Sequence, residues 1–448
     1  MNGMHTAPPR LAGIYFDIER KSLVKKFLLG FLIFYLLYAA GISVYLLNLE
    51  PGYVPAEYAS TSADPKQFMT EKEIAEAHHL DLIDYFTFFL KTPLDVVVVL
   101  FFMIISVKLR DRAAARFRNS FWQTGYYYFF FSAFLMLLYL PLDFFFYQLS
   151  RNYGLSSQSA ASWLGDLGIS FGLDLVMGIP LVWLLFFAIR KSPKKWWIAA
   201  WTAFLPLTIF LMFIAPVFIA PLFNDYKPLE NQKVKAEIQQ LADEAGIGNA
   251  KILEMNMSKQ TNTINAFVNG FGSNMQIVLG DTAINELTIE EIKFVMAHEI
   301  AHYKMNHIYK GLVLQIIVGF FIALATFFLF NWLRKKWGHR WGIKDPHDIA
   351  VLPLLIVSFS LMSFLASPIG NFQSRLYEMQ SDRYALETTA DKEAAISAFQ
   401  KLTKNAKSTG YEPPIIHFIT GSHPRITERI DFFDKYDNRD SAQSDSPS

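Results

Sequence analysis

Residues 288–333 read TIEEIKFVMAHEIAHYKMNHIYKGLVLQIIVGFFIALATFFLFNWL, two signals set back to back. The first half carries His298-Glu299-Ile300-Ala301-His302, an HExxH pattern. The second half, 311–333, is an apolar run of the length that crosses a bilayer core, which takes about 20 residues. On a helix, residues four apart share a face. His298 and His302 can therefore hold one zinc ion, with Glu299 beside it as general base. By composition alone, a chain of this size contains HExxH by chance with a probability on the order of 1 in 100. Local sequence predicts the helix. Thr288 and Glu291 form a Thr-x-x-Glu capping box, and Leu287 and Ile292 stand at the staple positions around it. Ile292, Val295, Met296 and Ile300 supply an apolar side.

Outward from this stretch, the chain is a polytopic membrane protein by composition. Hydrophobic residues make up 52% of its 448 positions and charged residues only 18%, against about 25% in soluble proteins. Seven segments are candidate spans: 27–47, 86–107, 124–147, 168–189, 196–223, 311–333 and 349–369. The first is too long in its apolar part for a signal peptide and is read as a true span. Pro141, Pro180, Pro206, Pro216 and Pro353 are expected to kink their helices. Asp143, Asp174 and Gln315 lie within spans, where polar groups either pair between helices or line a water-filled interior. The stretch 224–310 reads as soluble, with an amphipathic helix over 232–245, a strand over 276–279 and the HExxH helix from Thr288. A further helical segment covers 373–386, and the Ser-rich tail from 437 reads as disordered.

Charge excludes some partners and orients the rest. A net charge of +1 gives no support for nucleic-acid binding. With no cysteine in the chain, disulfides, thiolate nucleophiles and Cys-held zinc are excluded, so any metal uses His and carboxylates. Basic clusters sit at the N-terminus (Arg10, Arg20, Lys21, Lys25, Lys26), after span two (Lys108 to Arg118), after span four (Arg190 to Lys195) and after span six (Arg334 to Lys344). With seven spans, all four fall on one side. The loop after span one is acidic, with Glu50, Glu57, Asp64, Glu71, Glu73 and Glu76. Basic loops prefer the cytoplasm, which places 224–310 on the non-cytoplasmic side.

A catalytic zinc needs a third protein ligand and an open position. Glu378 is the candidate. Two spans separate it from His302, which returns the chain to the same side. Asp382, one turn further on, can accept a hydrogen bond from a ligand histidine and orient its ring. The competing reading of Glu378 is a juxtamembrane ion pair with Arg375. His307 follows His302 by five, a poor fit to the same helical face, and reads as structural or solvated. His78 and His79 read as surface residues of the acidic loop.

At this point the residues resemble the zinc-dependent (type 1) CAAX prenyl endopeptidases and their bacterial relatives, over most of 221–433 and the seven-span plan. The markers are Pro221-Leu222-Phe223-Asn224; Asn265-Ala266-Phe267 with Gly270; Ile277-Val278-Leu279 with Asp281-Thr282; HExxH; Asn371, Ser374, Arg375, Glu378 and Asp382; and Ser422-His423-Pro424 with Glu428-Arg429. The resemblance implies a mainly α fold whose spans enclose a chamber capped by a zincin-like domain with a small β-element. It implies one Zn2+ per chain. It also implies that Asn265 holds the peptide backbone on an edge strand, and that His423 and Arg429 contact substrate or stabilise charge at the scissile bond. Two departures weaken inference about substrate: the turn 272–275, and Met379 and Ser381 where eukaryotic members commonly have an aromatic residue and an alanine.

The expected organisation is a membrane domain over 1–223, a zinc domain over 224–310, two further spans over 311–370, the third-ligand helix and the rest of the catalytic domain over 371–436, and a tail over 437–448. The expected activity is hydrolysis of peptide bonds in a peptide or protein substrate, prenylated or not, at a lipid bilayer. The eukaryotic relatives are expected to work at the cytosolic face, where prenylated proteins are. In the orientation read from the basic loops, prenylated CAAX proteins are not the native substrates. A membrane quality-control protease would use the same site. A transporter or channel with a vestigial metal site would rest on Asp143 and Asp174 alone, and intact Glu299 argues against an inactive scaffold. Short loops favour a bacterial inner membrane, with the endoplasmic reticulum open.

Overall fold

The structure is a computed structural model that describes residues 29–270, 274–343 and 345–436. The basic N-terminal cluster, Lys344, Gly272 and the tail from 437 lie outside the described residues. Among the described residues, seven helices are long and apolar enough to cross a membrane. They are α1 (Leu29–Leu47), α2 (Glu71–Arg116), α3 (Ser120–Asn152), α4 (Ala160–Lys191), α5 (Trp196–Ile209, continued by a π-helical turn Phe210–Ile214), α10 (His307–Trp337) and α11 (Leu352–Thr389).

The spans outrun the expected segments in ways that matter for the site. α2 has 46 residues, about 69 Å at 1.5 Å per residue, or roughly twice a bilayer core. Its first turns begin at the Thr70–Glu73 capping box and rise beside the domain that carries HExxH. There Glu73 and Glu76 pair with Lys404 and Lys407 at 2.9 and 2.6 Å. α11 is one unbroken helix of 38 residues. The expected span 349–369 and the expected helix 373–386 are its two halves, so a division at residue 370 falls inside a single element. Pro368 lies within it, and the helix continues past that missing donor.

The proline expectations divide by position. Pro141, Pro180 and Pro206 lie inside helices. Pro216 follows directly on the π-helical turn, inside one continuous helical run, whereas Pro353 stands in the first turn of its helix and does not interrupt it. There the missing N–H has no intrahelical partner to lose. The fifth apolar span ends at Ile214 instead of running to 223; the short helix α6 (Ala215–Phe218) continues it through Pro216, and a 3-10 turn with Pro221 follows.

The remaining elements build the domain that carries HExxH: β1 (Tyr226–Pro228), α7 (Gln232–Glu244), β2 (Lys251–Met255), β3 (Ala266–Asn269), β4 (Gln276–Gly280), α8 (Asp281–Glu286), α9 (Ile289–Lys304), α12 (Lys392–Asn405), α13 (Pro414–Thr420) and α14 (Ile426–Lys435). The four strands form one sheet in the order β1-β2-β4-β3. β2 and β4 are parallel, and the two outer pairings are antiparallel. β3 is therefore an edge, with its turn at Gly270 (φ +93). Ile238, Leu279, Phe294, Phe399 and Phe433 centre a core that also takes in Ala63 from the loop after α1. A second core holds the helices together at the far end, with Phe102, Tyr127, Phe186, Phe330 and Leu354. Arg110 and Asp348 form an ion pair at that end between two basic loops.

Between α3, α4, α5, α10 and α11 lies a largely apolar cavity of about 860 Å³, reached by Tyr128, Phe204, Gln315, His307 and Tyr377. Gln315 faces it. Asp174 instead accepts hydrogen bonds from Tyr128 (2.7 Å) and Ser132, tying α3 to α4.

Candidate active site

α9 presents the HExxH residues because its start is fixed. Thr288 N–H donates to Glu291 Oε2 at 2.7 Å, and Glu291 N–H donates to Thr288 Oγ1 at 3.3 Å. The Glu291 carboxylate is held from α12 as well, by Ser397 Oγ at 2.6 Å and Lys401 Nζ at 2.7 Å. α9 buries Ile292, Phe294, Met296 and Ile300 and lies along α11, which brings Glu378 opposite the two histidines.

His298 Nε2 and His302 Nε2 lie 3.2 Å apart. Each is 3.3 Å from an oxygen of Glu378, His298 from Oε2 and His302 from Oε1. These three residues form a group whose ligand atoms all converge within 4.8 Å. The donor atoms of a tetrahedral zinc, with bonds of 2.0–2.1 Å, stand about 3.3 Å from one another. Glu378 Oε2 is buried with no hydrogen-bond donor. Two imidazole nitrogens and a carboxylate, facing one another at these distances, fit a cation, and the N,N,O set suits zinc.

The outward nitrogens of both histidines are also engaged. His298 Nδ1 lies 2.9 Å from Asp382 Oδ1. Asp382 is fully buried and receives the forked guanidinium of Arg429, with Nε and Nη2 at 2.7 and 2.6 Å. Arg429 is itself buried. The structure turns its guanidinium onto Asp382, with Nη2 3.4 Å from Glu378 Oε2. The fork is thus matched by a carboxylate, and Arg429 also lines the groove over His298 and His423, where the expected contact with substrate or with charge at the scissile bond would be made.

His302 is braced by His307, whose Nδ1 lies 3.2 Å from His302 Nδ1. His307 Nε2 is 3.0 Å from Gln380 Oε1, and its ring stacks on Tyr377 at 4.2 Å and 5°. The sequence reading set His307 aside on helical spacing. α9 ends first, however: Asn306 takes the left-handed conformation (φ 58) and α10 begins at His307. Asn before His is the signal, since Asn adopts that conformation readily.

His423 stands across the site with Nε2 3.5 Å from Glu378 Oε1 and a side chain 59% exposed. Its loop is anchored from α11, where Asn371 Nδ2 donates to Ile419 C=O and Arg375 Nη1 to Gly421 C=O, both at 2.6 Å. Arg375 thus serves that loop, and Glu378 faces the histidines. Burial pushes the Glu299 carboxyl above the usual carboxylate range. A groove of about 440 Å³ runs over Asn265, Ala266, His298, Glu299, Glu378 and His423. Asn265 immediately precedes edge strand β3, and its C=O accepts from Gly280 N–H at 3.0 Å.

Two family models match the chain in succession. Residues 56–225 match the CAAX prenyl protease N-terminal domain of five membrane helices, and 228–437 match peptidase family M48. An uncharacterized metalloprotease, YhfN, of Bacillus subtilis is 37% identical over 90% of this chain and 95% of that protein. CAAX prenyl protease 1 of Saccharomyces cerevisiae is 29% identical over 68% of this chain and 70% of that one. The crystal structure of S. mikatae Ste24p superimposes with a TM-score of 0.73 over 96% of this chain and 100% of that one, at 23% identity, a likeness of fold. With its seven membrane-crossing helices and converging histidines and glutamate, the chain belongs to peptidase family M48, as an integral-membrane metalloprotease of the CAAX prenyl protease family.

Proposed function

We propose that the metal is zinc, that His298, His302 and Glu378 hold it, and that Glu299 is the general base for hydrolysis of a peptide bond lying along the groove. The observation that carries this reading is the mutual 3.2–3.3 Å spacing of two Nε2 atoms and the Glu378 carboxylate, with Glu299 next to His298 on the groove floor. Zinc at such a site supplies Lewis acidity to a water molecule and to the scissile carbonyl. Glu299 takes the water's proton and delivers it to the leaving amine, and its burial favours proton uptake. Asp382 accepts the proton-bearing side of His298 and keeps its Nε2 lone pair directed at the metal. Arg429 holds Asp382 in place. Asn265 and His423 both line the groove and position the substrate.

The three basic segments within the described residues, after α2, α4 and α10, adjoin the core at the far end of the bundle beside Leu109, Ile189 and Ile343, and the acidic loop after α1 packs into the domain that carries HExxH through Ala63. Positive-inside orientation then puts the catalytic domain outside the cytoplasm, in a bacterial inner membrane. In that orientation the substrates are membrane-associated polypeptides whose prenylation is not required. Cleavage of one CAAX peptide by the detergent-purified protein, prenylated and unprenylated, tests this. Equal cleavage supports a general membrane-associated protease. Cleavage of the prenylated form alone establishes prenyl specificity and contradicts the orientation.

A further inference from the structure

One side chain outside the metal site closes the end of the peptide groove. Gly280 N–H donates to Asn265 C=O at 3.0 Å, and the β3–β4 register sets Ala266 opposite Leu279. Bonded and non-bonded pairs alternate along an antiparallel ladder. Asn265, Phe267 and Asn269 therefore direct their backbone groups to β4, while Ile264, Ala266 and Val268 direct theirs outward. Thr282 Oγ1 donates to Thr263 C=O at 2.9 Å on the inward side, in keeping with that alternation.

Upstream of Ala266 the outward row is taken. Ile264 N–H donates to Asn405 Oδ1 at 2.9 Å, and Asn405 Nδ2 donates to Asn262 C=O at 3.0 Å. Asn262 N–H donates to Leu155 C=O of the α3–α4 loop at 3.0 Å. A carboxamide offers the same donor and acceptor as a peptide group, so Asn405 stands where a paired backbone would. Downstream, the chain turns away at Gly270, where an added Cβ would lie 2.2 Å from Asn274 O. The open edge is therefore Ala266 to Asn269. The active-site groove touches Thr263 to Ala266 but none of Phe267, Val268 or Asn269, and Leu402 and Ala406 of the α12 end wall it beside Asn405. The catalytic groups thus sit at the Asn405 end of the open edge.

We propose that Asn405 is a specificity-determining residue: it stops β-pairing just past the scissile bond and confines cleavage to bonds near the C-terminus of a polypeptide. A peptide added to β3 in the antiparallel sense, the more stable pairing, runs its C-terminal side toward Asn405. The proposal rests on the peptidase reading above. Its test separates the two by measuring binding as well as turnover.

The full-length, zinc-loaded Glu299→Gln protein is titrated with fluorescent CAAX peptides. One series carries about two to about eight residues C-terminal to the scissile bond, and the other is extended N-terminally to the same extent. With Asn405 present, affinity falls about tenfold along the C-terminal series and stays flat along the N-terminal one. Asn405→Ala flattens the C-terminal series to within about twofold. Melting temperatures accompany both proteins, because a merely structural role would move stability and not the length profile. Should Asn405→Ala fail to fold, Asn405→Gly, which also lacks the carboxamide and suits the end of a helix, is read in the same way. Identical length profiles with and without Asn405, or sensitivity confined to the N-terminal series, overturn the proposal. Turnover of the shortest peptide by the wild-type protein reports separately on the peptidase reading.

Discussion

His307 Nδ1 lies 3.2 Å from His302 Nδ1, and Gln380 Oε1 lies 3.0 Å from His307 Nε2. The carbonyl oxygen of Gln380 can only accept, so it takes the Nε2–H of His307. His307 Nδ1 is then the acceptor for His302 Nδ1–H, which leaves the Nε2 lone pair of His302 directed toward Glu378, where the proposed metal would sit. Asp382 imposes the same tautomer on His298. Both metal-facing nitrogens are thus set from behind, one by a carboxylate and one by a third histidine.

His307→Ala removes that acceptor while leaving all three ligands in place. Zinc affinity is expected to fall about 10- to 100-fold, the range for an outer partner of a ligand histidine. Competition with a chromogenic chelator reads this directly. Unchanged affinity would make the contact incidental.

Arg429 is expected to act on stability. Asp382 is fully buried and bonded by both arms of the guanidinium, so Arg429→Met strands a carboxylate in the core. Breaking a buried pair from one side costs about 3–5 kcal/mol. Denaturant unfolding of the metal-free variant is expected to show that loss, and Asp382→Asn made with Arg429→Met is expected to recover part of it. A raised KM at unchanged stability would restore the substrate-contact reading.

The absence of cysteine in the sequence makes orientation measurable by single labels. Gln240→Cys lies on the exposed face of α7, and Lys194→Cys lies exposed between α4 and α5. In intact bacteria, a membrane-impermeant maleimide that reaches the periplasmic face is expected to label Gln240→Cys, and to label Lys194→Cys only after lysis. The reverse pattern would place the catalytic domain in the cytoplasm.

Much of the fold is legible from hydropathy, because spans must be apolar for about 20 residues whatever they pack against. What escapes is where helices end once they leave lipid. α2 and α11 run on as polar, amphipathic turns beside the catalytic domain, and a hydropathy window sees only their apolar parts. The pairing of His298 with His302 is legible because HExxH sets both in one helical turn, and Glu378 is reached through the parity of the spans that separate it from them. The groups behind them depend on tertiary placement. Arg429 reaches Asp382 across 47 residues of sequence, His307 reaches His302 only because the helix breaks at Asn306, and Asn405 meets the sheet edge from an element 141 residues further along the chain. No local pattern in the sequence carries the first and last of these contacts, and for the second the only local signal is Asn306 itself.

The central claim is that Glu299 moves the proton while His298, His302 and Glu378 hold the metal. The direct measurement is zinc content and peptide cleavage, side by side, for purified wild-type protein and Glu299→Ala. The account predicts about one zinc per chain in both and a loss of cleavage in the variant of at least about 10²-fold. Full cleavage by zinc-loaded Glu299→Ala would contradict it.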